Sequence, residues 1–208
     1  MYLQLCFKSM NKCKLLITCA NLDSEDRCKK YTESFNSASL FKDRFVDINV
    51  LETVSIDNCD YYNKCVFKKQ FSNIGNLYHD KGYNWLNHVK IFLDKSEHQD
   101  YLFLTGRYLM LSDNLLDIID CNKDYKLIAK NDADIYGSGN GVHMFYFYFQ
   151  KDIFIEFYNF CMSDTDKQTP IEWKLKRFME NRKDCFMIPS STSLGVLARI
   201  SSGIIKKV

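Results

Sequence analysis

Arg107 closes the stretch of this chain in which polar chemistry is most concentrated. Asp100-Tyr-Leu-Phe-Leu-Thr-Gly-Arg-Tyr108 is a short apolar run ending in a hydroxyl, a glycine, a guanidinium and a phenol. Such a run reads as a buried strand, and open α/β sheets bind ligands beyond the carboxyl ends of their strands. A guanidinium there suits bidentate contact with phosphate oxygens, and Gly106 permits close backbone approach. The plainer alternative is an arginine snorkelling from a strand end. Asp132-Ala-Asp134 has the spacing of paired carboxylates that hold Mg²⁺ or Mn²⁺, since hard cations take oxygen ligands. Two solvated acids beside a turn would look the same. Gly137-x-Gly139-x-Gly141 is followed by an aromatic run. A dinucleotide fingerprint needs a helix there instead, so the glycines read as a turn. The sequence has no Walker A motif, no His-x-x-x-His pair and no Gly-x-Ser-x-Gly elbow, which argues against P-loop enzymes, zinc hydrolases of that type and α/β-hydrolases.

The elements that must position these groups follow from periodicity. Lys12–Ala20 is a short apolar strand. Asp23 or Ser24 caps a helix carrying Cys28, Tyr31 and Phe35 on one face, and Asp47–Val54 is a β-branched strand. Together they form a β-α-β unit with a right-handed crossover. Ser55–His79 reads as an irregular connection with one short helix at most. From Lys81-Gly82-Tyr83-Asn84 onward, Trp85, Leu86, Val89, Phe92 and Leu93 make a helical stripe that leaves His88 on the polar side. A short helix around Leu115–Ile119 comes next. Tyr125–Ile135 and Val142–Phe149, joined by the glycine turn, predict an antiparallel hairpin. Helices follow around Phe154–Cys161 and after Pro170, the second with Trp173, Leu175, Phe178 and Met179 facing inward. The residues after Pro189 are rich in Ser and Gly and carry Lys206-Lys207 near their end. The class is α/β, one domain over 1–208, with a mixed, mostly parallel sheet.

Composition narrows the function. With 28 basic and 26 acidic residues the net charge is +2, which argues against a nucleic-acid partner. The longest apolar run, Val142–Phe149, is far shorter than the roughly 20 residues a spanning helix needs, so no transmembrane segment is expected. Nine cysteines without a CxxC pair read as mostly reduced, semi-buried small hydrophobes. Lysines at 8, 12 and 14 sit where the core of a signal peptide would lie, so the expected location is cytoplasmic.

The Lys81-Gly82-Tyr-Asn84 and Thr105-Gly-Arg-Tyr108 segments, in that order and spacing, resemble small glycosyltransferases of GT-A type from bacterial capsule and lipopolysaccharide loci and from large DNA viruses. Leu15-Leu-Ile-Thr18, Arg27–Ser34, Ile48–Thr53 and Pro170-Ile-Glu172-Trp173 extend the likeness over most of the chain. The resemblance implies a GT-A-like (Rossmann-like) domain that moves a sugar from a UDP- or GDP-sugar donor to a glycan, glycolipid or glycoprotein acceptor, placing the enzyme at the membrane surface if its acceptor lies there. Residues 12–111 would be the nucleotide-sugar half and 112–208 the acceptor side. Thr18 would lie near the base and Glu52 at the second strand end, with Lys81, Asn84, Thr105, Arg107 and Tyr108 along the diphosphate and sugar. Glu172 would be the general base if the enzyme inverts, with Asp134 in reserve. Two positions depart from the family pattern: Trp85 stands where an acid is frequent, and Thr-Gly-Arg-Tyr replaces the Asp-x-Asp that often ends the third strand. The leaving diphosphate would then meet either Mn²⁺ or Mg²⁺ on Asp132 and Asp134, or Arg107 without a metal. A catalytically inactive nucleotide- or sugar-binding module of this fold and a protein–protein interaction domain are the alternatives.

Overall fold

Alternating apolar residues along the strands require cover on both faces of the sheet, and helices supply it. The computed structural model describes residues 12–20, 25–53, 65–68, 81–132, 141–199 and 205–208. The chain runs β1 (Lys14–Cys19), α1 (Glu25–Ser39), β2 (Ile48–Glu52), β3 (Cys65–Lys68), α2 (Lys81–Asp94), β4 (Asp100–Thr105) and β5 (Leu109–Met110). It continues with α3 (Asn114–Cys121), β6 (Leu127–Asp132), β7 (Gly141–Gln150), α4 (Lys151–Ser163), α5 (Ile171–Glu180), β8 (Cys185–Ile188), β9 (Val196–Arg199) and β10 (Ile205–Lys207).

Seven strands form one sheet in the order β3-β2-β1-β4-β7-β6-β8, and β10-β9-β5 form a small second one. In the large sheet only β7 runs against its neighbours. Thr18 therefore lies beside Thr105, and Cys19 beside Glu52, at one carboxyl edge. Because β7 is reversed, its beginning reaches the same edge, where Gly141 pairs with Asp132. The β-α-β unit, α2, β4 and the hairpin match expectation. Strands β3 and β8, and the small sheet built partly from the Ser- and Gly-rich tail, were not expected.

Side chains alternate across the sheet as a period of two requires. Leu15, Ile17, Leu102 and Leu104 pack with Tyr31 and Ala38 of α1 and Leu115 and Leu116 of α3. Leu16, Tyr101 and Phe103 pack the opposite way, with Leu86 and Val89 of α2, Phe154 and Phe157 of α4, and Leu175 of α5. Each such fully buried side chain contributes roughly 1.5–3 kcal/mol. In β7 the alternation slips. Ile128 faces Tyr148, but two residues on, Lys130 faces His143, five residues back along β7. This irregularity pushes Met144 and Phe145 out of step, and bulges of this kind re-aim side chains beside functional sites.

Two helix faces differ from the sequence reading. His88 is fully buried, and Trp173 is 37% exposed. Cys13, Cys19, Cys121, Cys161 and Cys185 are free thiols, whereas Cys28 is disulfide-bonded, an exception within the expectation of mostly reduced cysteines. Burial pushes the Cys13 thiol up to about 12, which makes it a packing residue and not a nucleophile.

Candidate active site

At the carboxyl edge of β1, β2 and β4 the chain encloses a cleft of about 320 Å³, within the range of small-ligand sites, about 300–1,000 Å³. Five residues expected at a site from the sequence line it: Thr18, Asn84, Thr105, Arg107 and Glu172. They come from the ends of β1 and β4, the first turn of α2, the turn after β4 and the first turn of α5.

The wall around β1 is held by α1. The Tyr31 hydroxyl donates to the Ala20 carbonyl (3.0 Å) and accepts from the Ala20 amide (3.2 Å). Arg27 donates to the same carbonyl at 3.2 Å, so the loop leaving β1 is clamped at one residue. Thr53 ties the end of β2 to this wall through its hydroxyl, 3.1 Å from the Cys19 carbonyl. Gly106 fits because it lacks a side chain. A Cβ there would lie 2.7 Å from the Thr18 carbonyl oxygen, 2.8 Å from Cys19 Sγ and 2.9 Å from the Tyr31 ring. Its amide instead donates to that Thr18 carbonyl at 3.0 Å, and Arg107 is thereby carried to the edge.

The cleft is chemically divided. Arg27 and Arg107 place two guanidiniums on the β1 side, and Arg107 makes no hydrogen bond or ion pair among the described residues. Both arginines lie near the Tyr31 phenol, whose pKa burial raises to about 12 although they pull it down. The first turns of α2 and α5 also face the cleft with Gly82, Asn84, Ile171 and Glu172, and helix N-termini favour anions. The remaining wall is apolar: Trp85, Phe103, Met144 and Phe145. Trp85 packs edge-on to Phe103 at 4.9 Å between ring centroids. His88 lines the cleft as well, held neutral because burial lowers its pKa to about 4.

Other expected residues fall elsewhere. Glu52 is fully buried at the end of β2 and gives the cleft no surface; Thr53 takes its place. Tyr108 is also buried, packed on the rings of His143 (5.9 Å) and Phe145 (5.3 Å). The turn at Gly106 sends Arg107 to the cleft and the phenol into the core behind it. Lys81 begins α2, one residue before Gly82, and Asp132 ends β6 at the same sheet edge. Asp134 and the glycine turn up to residue 140 lie outside the described residues. Among the described residues no cluster of three or more His, Cys, Asp or Glu side chains could hold a metal ion. Sequence reading missed Arg27, Thr53, Trp85, His88, Met144 and Phe145. Arg27 sits in the first turn after β1, a position the β-α-β topology always brings to the carboxyl edge.

No protein-family model matches the sequence, and no curated protein matches it. Solved structures do. The chain is similar to the glycosyltransferase GlyE of Streptococcus pneumoniae TIGR4, with TM-score 0.55 and 11% identity over 85% of this chain. It is also similar to a glycosyltransferase involved in glycosylation of the major capsid of PBCV-1, with TM-score 0.53, 9% identity, and coverage of 85% of this chain and 81% of that one. The fold is that of a GT-A-type glycosyltransferase. This chain spans 45% of the length of GlyE. In the GT-A-like frame the divided cleft occupies the carboxyl edge, and among the described residues no helix is long and apolar enough to cross a membrane.

Proposed function

We propose that this chain transfers a sugar from a nucleotide-sugar donor to a hydroxyl acceptor. The observation that carries the proposal is the meeting of Arg107, Asn84, Thr105 and Thr18 with Glu172 in one cleft at the carboxyl edge. The nucleoside of a UDP- or GDP-sugar would lie along the ends of β1 and β2, within the 12–111 half. Its diphosphate would face Arg107, Arg27 and the first turn of α2, and its sugar the aromatic wall. Glu172 would take the proton of the acceptor hydroxyl as the bond from the anomeric carbon to the diphosphate breaks. The two guanidiniums would stabilise the departing charge. A Mn²⁺ or Mg²⁺ ion on Asp132 and Asp134 would add to that stabilisation, and titrating Mn²⁺ against donor affinity separates the two arrangements.

Calorimetric titration with UDP, GDP and their sugars tests the reading. Binding should be present and should weaken about ten- to hundredfold in Arg107→Ala, the worth of charge-assisted hydrogen bonds. Arg107→Lys should recover only part of it because the fork is lost. Donor hydrolysis identifies a transferase. Binding without turnover identifies a binding module, and no nucleotide binding defeats the proposal.

A further inference from the structure

We propose that the indole of Trp173 is a stacking platform for the acceptor and that the acceptor is an oligosaccharide. The inference deepens the transferase reading and rests on it for the role of the cleft. It begins with an inverted pair in α5. Ile171, Leu175, Phe178 and Met179 are buried, and the pattern assigns the adjoining inward place to an apolar residue. Lys174 occupies it instead, with no exposed surface, while its neighbour Trp173 is 37% exposed. The buried ammonium has to be compensated. It donates to Asp164 at 2.6 Å and to the Asp166 carbonyl, and it lies over the Tyr83 ring at 5.9 Å. Breaches of local rules of this kind mark functional positions.

The position of Trp173 indicates which function. Its preceding residue, Glu172, lines the cleft and Trp173 does not, so the indole lies outside the cleft at the same sheet edge. The start of β7 abuts both residues through Gly141, where a Cβ would lie 3.2 Å from Glu172 Cβ and 3.3 Å from Trp173 Cδ1. A side chain there would crowd the ring. The surroundings select the ligand class. Trp173 is the only aromatic among the exposed large apolar side chains of the described residues. Leu40, Val46 and Leu111 belong to segments around α1 and β5, on the other face of the sheet. Farther along the outer side of α5 stand Lys176, Arg177 and Glu180, half-exposed or exposed. A lipid tail or a hydrophobic protein contact needs a continuous apolar patch. A lone indole bordered by charge suits the C–H face of a pyranose, with the ring N–H left for a hydroxyl.

The sequence contains only two tryptophans, Trp85 in the cleft and Trp173 beside Gly141, which gives each a separate signal. Trp85→Phe leaves Trp173 as the sole tryptophan, excited selectively at the red edge where the tyrosines absorb little. Titrating that full-length variant with tetrasaccharides of glucose, N-acetylglucosamine, galactose, mannose and rhamnose, without nucleotide, should quench or blue-shift its emission for at least one sugar. By calorimetry, Trp173→Ala in the otherwise unaltered chain should bind that sugar about three- to tenfold more weakly, the usual worth of an aromatic contact, while Trp173→Phe keeps most of the affinity. UDP and GDP binding should be equal in all three proteins that retain Trp85. No emission change with any of the sugars, or unaltered sugar affinity in Trp173→Ala, overturns the platform. Nucleotide binding without a sugar signal defeats the platform alone. A sugar signal without nucleotide binding defeats the donor reading and leaves the platform standing.

Discussion

Glu172 lies in the first turn of α5, where a glutamate is stabilised by the helix dipole whether or not it has chemistry to do. What separates the two roles is its place in a cleft that also holds Arg107 and Arg27. The diphosphate and the base would then lie on different walls, as an inverting displacement at an anomeric carbon requires. Glu172→Gln keeps the shape and removes the basicity. Transfer should fall about a hundredfold or more, the common contribution of a positioned base, while UDP- or GDP-sugar affinity stays within about twofold. Transfer at the parent rate would make Glu172 a helix-start residue and move the search to Asp134. At strand ends the topology fixes the edge, and Thr18, Thr105 and Arg107 reach the cleft there, whereas Glu52, also at a strand end, is buried away from it. Residue-level reading from sequence did poorly at helix faces. Helical spacing alone put His88 outside and Trp173 inside, and the packing of β3 on α2 (Phe67 stacks on His88 at 5.6 Å) and the burial of Lys174 reversed both.

At the scale of elements, a close backbone joint lies between β1 and the turn after β4, where Gly106 leaves no space for a methyl group. The atom nearest the missing Cβ is the backbone oxygen of Thr18, at 2.7 Å, and backbone cannot swing away as a flexible side chain can. Gly106→Ala must therefore part β1 from β4 at the site. Overpacking of this kind costs about 1–3 kcal/mol, so thermal unfolding should drop by several degrees. Donor affinity should fall with it, since Thr18 and Arg107 separate. An unchanged melting temperature would mean that the turn adjusts without cost. Long or strongly patterned elements were legible beforehand: β1, α1, β2, α2, β4 and the β6–β7 pair announce themselves by period. Strands β3, β8, β9 and β10, of three or four residues each, do not. Their hydrogen bonding is decided by the neighbour they meet, as Cys65–Lys68 meets β2. The slip in β7 was equally hidden, because it depends on register against β6 and not on residue type, yet it is what delivers Met144 and Phe145 to the cleft.

The molecule as a whole buries two imidazoles on opposite faces of one sheet, and this couples its stability to pH. Burial lowers the His88 pKa from 6.5 to about 4. Burial, with Lys130 adding to it across the β6–β7 pair, lowers that of His143 from 6.5 to about 3. Unfolded, both rings take up a proton as pH falls through about 6.5; folded, both stay neutral well below that. The unfolded state therefore binds more protons throughout the interval, and stability must fall as pH falls. With two groups the limiting slope is about 2.7 kcal/mol per pH unit. Asp164 and Asp184 have pKa values lowered from 3.8, by Lys174 and Arg182 respectively. Their contribution, present above the ordinary carboxylate pKa, is lost as pH falls through and below it. Asp120, whose pKa burial raises, acts in the opposite sense, so the His143→Gln comparison is what assigns the decline from about pH 6 to 4.5 to the histidines. Urea midpoints measured from pH 7.5 to 4.5 should decline across that interval. In His143→Gln the decline should become shallower by about half, because one of the two protons no longer takes part. A midpoint that does not move above pH 4.5 would mean that the imidazoles reach water in solution, and that the core at the start of β7 opens more readily than its packing on Tyr108 and Phe145 implies.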